Sequence, residues 1–148
     1  MKIRVATTDD IKSLCELLDE LFSQEIEFIP NGNLQEIALN KILEDENIGN
    51  ILVVTIDEKV VAMVNILYTI STALGEKVAI LEDMIVKKEF QNQNIGLKLL
   101  EYTKTYAEEK GCKRITLLTD EDNFKAQNFY KKAGFEKSSM IPFRIKFN

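Results

Sequence analysis

Histidine is absent from this 148-residue chain. Without it there is no Ser–His–Asp triad, no Cys–His pair and no His-ligated zinc site, so no metal centre is expected. Cysteine is scarce. Cys15 and Cys112 stand far apart, one on the apolar face of an expected helix and one just past a helix-ending Gly111, which reads as two free thiols in a reducing compartment. No apolar run approaches the ~20 residues that a bilayer span needs, and the first residues lack a basic stretch followed by an apolar one. The expectation is a cytoplasmic protein with no membrane partner. Positive charge is also short, with 19 Lys and Arg against 24 Asp and Glu and a net charge of -5. With no Lys/Arg run, nucleic acid is not an expected partner. The carboxylate excess suits cationic small molecules, and it equally serves solubility.

What is present suffices for one folded unit. Hydrophobic residues make up 45% of the chain, and the length is that of a single domain spanning 1–148. Lys2–Ala6 alternates as a short strand, and Thr8-Asp9-Asp10 supplies capping oxygens for a helix. Ile11, Leu14, Cys15, Leu18, Leu21 and Phe22 then recur at helical spacing as one buried stripe. Pro30-Asn31-Gly32-Asn33 breaks the chain, and Leu34, Ile37, Ala38, Lys41 and Ile42 suggest a second, weaker helix. Ile51–Ile56 and Val60–Ser71 flank a short polar turn as a hairpin. Val78–Val86 is a further strand that carries Glu82 and Asp83 inside an apolar run. A helix runs from Ile95 to Gly111, Arg114–Leu118 is a strand, Asn123–Ala133 a helix ended by Gly134, and Phe135 onward a final strand or two. No repeat or linker interrupts this order, which is that of one mixed α/β unit.

Gln91-Asn92-Gln93-Asn94-Ile95-Gly96 lies between the strand that ends at Val86 and the helix that begins near Ile95. The first turn of a helix has unpaired N–H groups and the positive end of the macrodipole, which suits a pyrophosphate. Gly96 permits close backbone approach, and Asn94 tolerates a left-handed conformation better than most residues. A polar loop of this kind also serves as a plain connection, so other segments have to decide.

Three segments together do so. Leu81-Glu82-Asp83-Met84-Ile85-Val86, Gln91 through Gly96, and Asn123-Phe124-Lys125-Ala126-Gln127-Asn128-Phe129-Tyr130-Lys131-Lys132-Ala133-Gly134-Phe135 resemble the GNAT superfamily of N-acetyltransferases. The acyl-CoA loop of that family reads Gln/Arg-x-x-Gly-x-Gly/Ala. Here Gln91 and Gly96 match, and Asn94 stands where Gly is usual. The resemblance covers the whole chain in element order and is specific from Leu81 to Phe135. It implies an α/β (α+β) GNAT fold, a central mixed, mostly antiparallel sheet of six to seven strands with about four helices. It also implies transfer of acetyl from acetyl-CoA to a primary amine by direct attack in a ternary complex, with a small amine as the favoured acceptor.

The resemblance further implies roles. The strand before the loop splays from its neighbour, so that the backbone of Met84, Ile85 and Val86 meets the pantetheine arm. Gln91, Asn92, Gln93, Asn94, Ile95, Gly96 and Leu97 cradle the diphosphate, with Asn123 at the start of the later helix also on the coenzyme and Lys87, Lys88 and Lys98 as neutralising charges. Tyr130 is the general acid for the departing thiolate, against the plainer reading of an aromatic in the core. Glu82 is the base, directly or through water, with Asp83 in reserve. Alternation sets these two carboxylates on opposite faces unless a bulge intervenes. The oxyanion falls to an N–H at Ile85 or Val86. Asp19, Glu20, Glu25 and Glu27 are either an attraction for a cationic amine or a solvated face. The resemblance includes a homodimer, through Met140–Phe147, although Ile141, Phe143, Ile145 and Phe147 equally fit an ordinary half-buried strand. Two rival classes stay open: a coenzyme-A-binding regulatory module without turnover, and a nucleotide-binding domain, for which both the P-loop and the Gly-x-Gly-x-x-Gly fingerprint are missing.

Overall fold

The computed structural model describes residues 1–24 and 31–148; Glu25, Glu27 and Pro30, singled out above, lie outside the described residues. The chain divides into two compact units, Met1–Leu118 and Thr119–Asn148.

In the first unit, β1 (Lys2–Val5), β2 (Gly49–Ile56), β3 (Lys59–Ser71), β4 (Glu76–Val86) and β5 (Ile115–Leu117) lie side by side in chain order. The first three junctions are antiparallel and β4–β5 is parallel, giving the mixed, mostly antiparallel sheet expected. Asp57 and Glu58 make the β2–β3 turn with φ of 50° and 66°. Two left-handed residues in a two-residue loop match the right-handed twist of the strands on either side. Ile51, Leu52, Val53 and Val54 are all fully buried, so β2 is covered on both faces and its sequence is a continuous apolar run.

Two helices cover one face. From α1 (Ile11–Gln24) Leu14, Leu17 and Leu18, and from α2 (Gly32–Glu44) Leu39, pack with Ile51, Val53, Met63 and Ile85. The apolar stripe of α1 is as the spacing predicts. In α2 the inward face is displaced from the expected one: Gln35 and Leu39 are buried, while Leu34 and Ile37 are more than half exposed. A weak stripe leaves the rotation of a helix to its packing, and here an amide faces inward where Leu34 was expected. The opposite face belongs to α3 (Ile95–Glu109), which contacts β2, β3 and β4 and buries Leu99 and Leu100. Strand alternation turns Leu52, Val54, Val64 and Ile66 toward it.

A 3-10 turn at Thr8–Asp10 leads into α1. The Arg4 guanidinium donates to both oxygens of the Asp10 carboxylate at 2.8 and 2.9 Å, and the Thr7 N–H adds a third bond at 2.8 Å. The Arg4 hydrogen bond is the main reason the Asp10 pKa lies below the ordinary carboxylate value, with burial opposing it. Cys15 and Cys112 are free, and burial raises both thiols. Among the described residues no helix is long and apolar enough to cross a membrane.

The second unit contains α4 (Phe124–Lys132), which Gly134 ends at a φ of 96° while the Phe135 N–H donates to the Tyr130 carbonyl. The final strands expected from Phe135 onward do not form: residues 135–148 carry no strand, and the described sheet has five strands rather than six or seven. Alternation makes a strand only where another strand and a covering layer are on offer. Within its unit the tail has neither, and Ile141, Phe143, Ile145 and Phe147 are 76 to 93% exposed.

Candidate active site

The site begins where β4 loses one neighbour. Its pairing with β5 ends at Leu81↔Leu117, yet β4 continues to Val86. From Glu82 on, the edge of β4 on the β5 side has no strand partner among the described residues. On the other edge β3 keeps its pairing to Ala62↔Val86. The register there slips by one residue, because Asn65 pairs with Glu82 and Met63 with Ile85. Val64 thus faces two residues, Asp83 and Met84, which is a β-bulge with Asp83 at a φ of 54°.

The bulge changes where the carboxylates go. Asn65 and Glu82 are register partners, so their side chains rise from the same face. Asp83 turns to that face as well, accepting a short hydrogen bond of 2.5 Å from Asn65 Nδ2. The two carboxylates that plain alternation separates therefore converge around Asn65. Glu82 is exposed and Asp83 half-buried. Asn65 is 3% exposed, and its Oδ1 has no hydrogen-bond partner among the described residues. Such an orphaned buried carbonyl costs about 1–3 kcal/mol. Gln35 of α2 is likewise buried with both polar atoms unpartnered. Neither amide was singled out in the sequence. The signal for Asn65 was present, since it interrupts the apolar run Val60–Ile66; Gln35 was hidden by the misjudged rotation of α2.

After Val86 the chain makes a 3-10 turn at Lys88–Phe90 and the loop Gln91–Asn94 before α3. Gln91 Nε2 donates to the Val86 carbonyl at 3.0 Å and ties the loop to the end of β4. Asn92 and Asn94 both have a φ of 63°. Asn94 stands at the helix start without capping it through its side chain. The first backbone bond of α3 runs from the Lys98 N–H to the Asn94 carbonyl, so the N–H groups of Ile95, Gly96 and Leu97 precede the ladder. Buried Ile95 anchors this turn. Lys88 and Lys98 are exposed and Lys87 half-buried. From α1, Glu20 accepts the Lys88 N–H at 2.9 Å; its carboxylate thus braces this turn.

Asn123 and Tyr130 belong to the second unit, and the remaining expected site residues to the first. The Asn123 Oδ1 caps α4 by accepting the Ala126 N–H at 3.1 Å. Tyr130 lies edge-on to Phe129 and Phe135, with ring centroids 5.2 and 5.9 Å away. Burial pushes its phenol above the usual value near 10, so the hydroxyl keeps its proton throughout the neutral range.

Comparison with known proteins identifies the family. Residues 11–135 match the acetyltransferase (GNAT) family. An uncharacterized N-acetyltransferase of Bacillus subtilis, YhfO, is 30% identical over 142 residues, covering 94% of this chain and 92% of that protein. Among solved structures, a possible acetyltransferase from Clostridium difficile superposes with a TM-score of 0.90 at 20% identity, over 99% of this chain and 97% of that one. An aminoglycoside acetyltransferase from an uncultured soil metagenomic sample, solved with sisomicin, gives 0.81 at 21% identity, over 99% and 96%. This chain belongs to the acetyltransferase (GNAT) family, whose members use acetyl-CoA as the acyl donor.

Proposed function

We propose that the chain acetylates a small primary amine, the acceptor attacking acetyl-CoA directly while both are bound. The observation that carries this reading is the half-open strand β4, which leads through a bulge and two left-handed asparagines into the free N–H groups of α3. The open edge at Met84, Ile85 and Val86 suits the amides of the pantetheine arm. The loop from Gln91 to Leu97 offers backbone donors and a helix dipole to the diphosphate.

In the proposed reaction Glu82, the more exposed carboxylate, takes a proton from the ammonium, directly or through water, with Asp83 as the alternative base. The freed lone pair attacks the thioester carbon, and an N–H at Ile85 or Val86 holds the oxyanion. As the C–S bond breaks, Tyr130 gives its proton to the leaving thiolate. The raised phenol pKa supports this role, because the donor has to be protonated at neutral pH. The reading treats 1–148 as one acetyltransferase domain, since the family match runs across both units. It also includes a cytoplasmic location, supported by the two free thiols, and a homodimer, supported by the exposed apolar tail.

The test is release of free thiol from acetyl-CoA across a panel of amines that includes sisomicin, since a structural relative was solved with that ligand. Turnover with a primary amine is expected. Tight acetyl-CoA binding with no acceptor turned over would replace the enzyme with a coenzyme-binding module.

A further inference from the structure

We propose that Asn65 positions the acceptor nitrogen, and that the class it selects is an alkylammonium that still carries N–H donors; the inference rests on the acetyltransferase reading above. Three observations converge. First, Asn65 Nδ2 is committed to the Asp83 carboxylate, which fixes the orientation of the amide. The reversed amide would set one oxygen against another, so Oδ1 has to face away from Asp83. Second, that oxygen is unpartnered on a side chain 3% exposed, in a strand where buried polar atoms are ordinarily satisfied. Third, Glu82 stands opposite Asn65 in the register and on the same face.

Around this point the register brings two hydrogen-bond acceptors to one face, the Asn65 carbonyl and the Glu82 carboxylate. A cation with several N–H groups satisfies such a set, whereas an alcohol brings no charge and a quaternary ammonium brings no donor. Once Glu82 has taken one proton, a primary amine retains two. One of these on Asn65 Oδ1 leaves the lone pair free and sets its direction. Asn65 therefore acts on orientation, and the proton transfer stays with the carboxylate.

The experiment follows the Asn65 side-chain carboxamide by 1H–15N NMR in the intact wild-type protein. The titrants are 1,4-diaminobutane, its hexamethylated diquaternary analogue and 1,4-butanediol. The diamine is expected to shift the Asn65 signals saturably, and the other two to leave them in place. In Asn65→Leu the diamine should bind roughly tenfold or more weakly, the loss expected for a charge-assisted hydrogen bond. A silent Asn65 carboxamide during diamine binding, no diamine binding, or an equal response to the quaternary analogue would each overturn the assignment. Acetyl-CoA added to the same sample reports on the reading beneath it. If the backbone amides of Ile95, Gly96 and Leu97 do not move, the coenzyme site is wrong whatever Asn65 does.

Discussion

The two halves of β4 differ in what lies beside them more than in what they are made of. From Glu76 to Leu81 the strand has β3 on one side over its whole length and β5 on the other from Ala79. From Glu82 to Val86 it has, among the described residues, β3 alone, with a bulge at Asp83 and a left-handed residue inside it. Both halves carry buried apolar residues, Val78, Ala79 and Leu81 in the first and Ile85 in the second. The lesson is that a strand becomes a binding surface where its hydrogen-bond ladder is left open. Substitutions in the closed half should therefore cost stability and those in the open half turnover.

The largest effect should come from the groups proposed to move protons. Tyr130→Phe is expected to lower kcat roughly hundredfold, within the usual range for general acids, with little change in acetyl-CoA affinity; unchanged turnover would remove Tyr130 from the chemistry. Glu82→Gln should lose most activity at low pH, where the amine most needs a base, and a small loss at all pH values would make Glu82 structural. In the closed half, Leu81→Ala should cost about 2–4 kcal/mol in denaturant unfolding, the usual range for a buried leucine. If it instead spared stability and cut acetyl-CoA affinity, the contrast between the halves would break. At the loop, Asn94→Gly should be nearly neutral for acetyl-CoA binding. Asn94→Val, a β-branched residue at positive φ, should cost about 1–2 kcal/mol and weaken that binding. Equal affinities for the two variants would show that the left-handed turn does not shape the cradle.

The smallest effect on activity is expected far from β4, at a site that serves as a control. Asp10→Asn should lower stability by about 1–2 kcal/mol at pH 7, because the Arg4 partner is partly exposed and screened. The folded pKa of Asp10 is depressed, so the stabilisation is present above the unfolded value near 4 and fades as pH falls below it. The gap between wild type and variant should then close in acid, while thiol release at neutral pH stays the same.

How much was legible in the sequence depended on how local the cause was. The α1 stripe, the β2–β3 hairpin and the loop into α3 were readable, because spacing and turn residues fix them over a few positions. The left-handed Asn94 was also readable, from the tolerance of asparagine for that region. The inward face of α2 was not, since Leu34 and Ile37 are apolar residues that packing leaves outside. Nor was the bulge: it depends on which residue of β3 stands opposite each residue of β4, and one sequence does not reveal register. The bulge brings Asp83 to the same face as Glu82, so the most consequential detail of the candidate site was the least visible. The tail misled because alternation describes a strand's faces and says nothing about whether an edge is there to receive it.

The paired asparagines at 92 and 94 have a consequence for the chain before it folds. Glycine fits the same angles, but it also wanders over far more of conformational space when the protein is denatured. Asparagine surrenders less entropy on ordering, by the reasoning that makes glycine replacement at compatible sites worth roughly 0.4–1 kcal/mol. A loop built this way is stiffer at rest than a glycine-rich one and has less disorder left to lose when an anion settles on it.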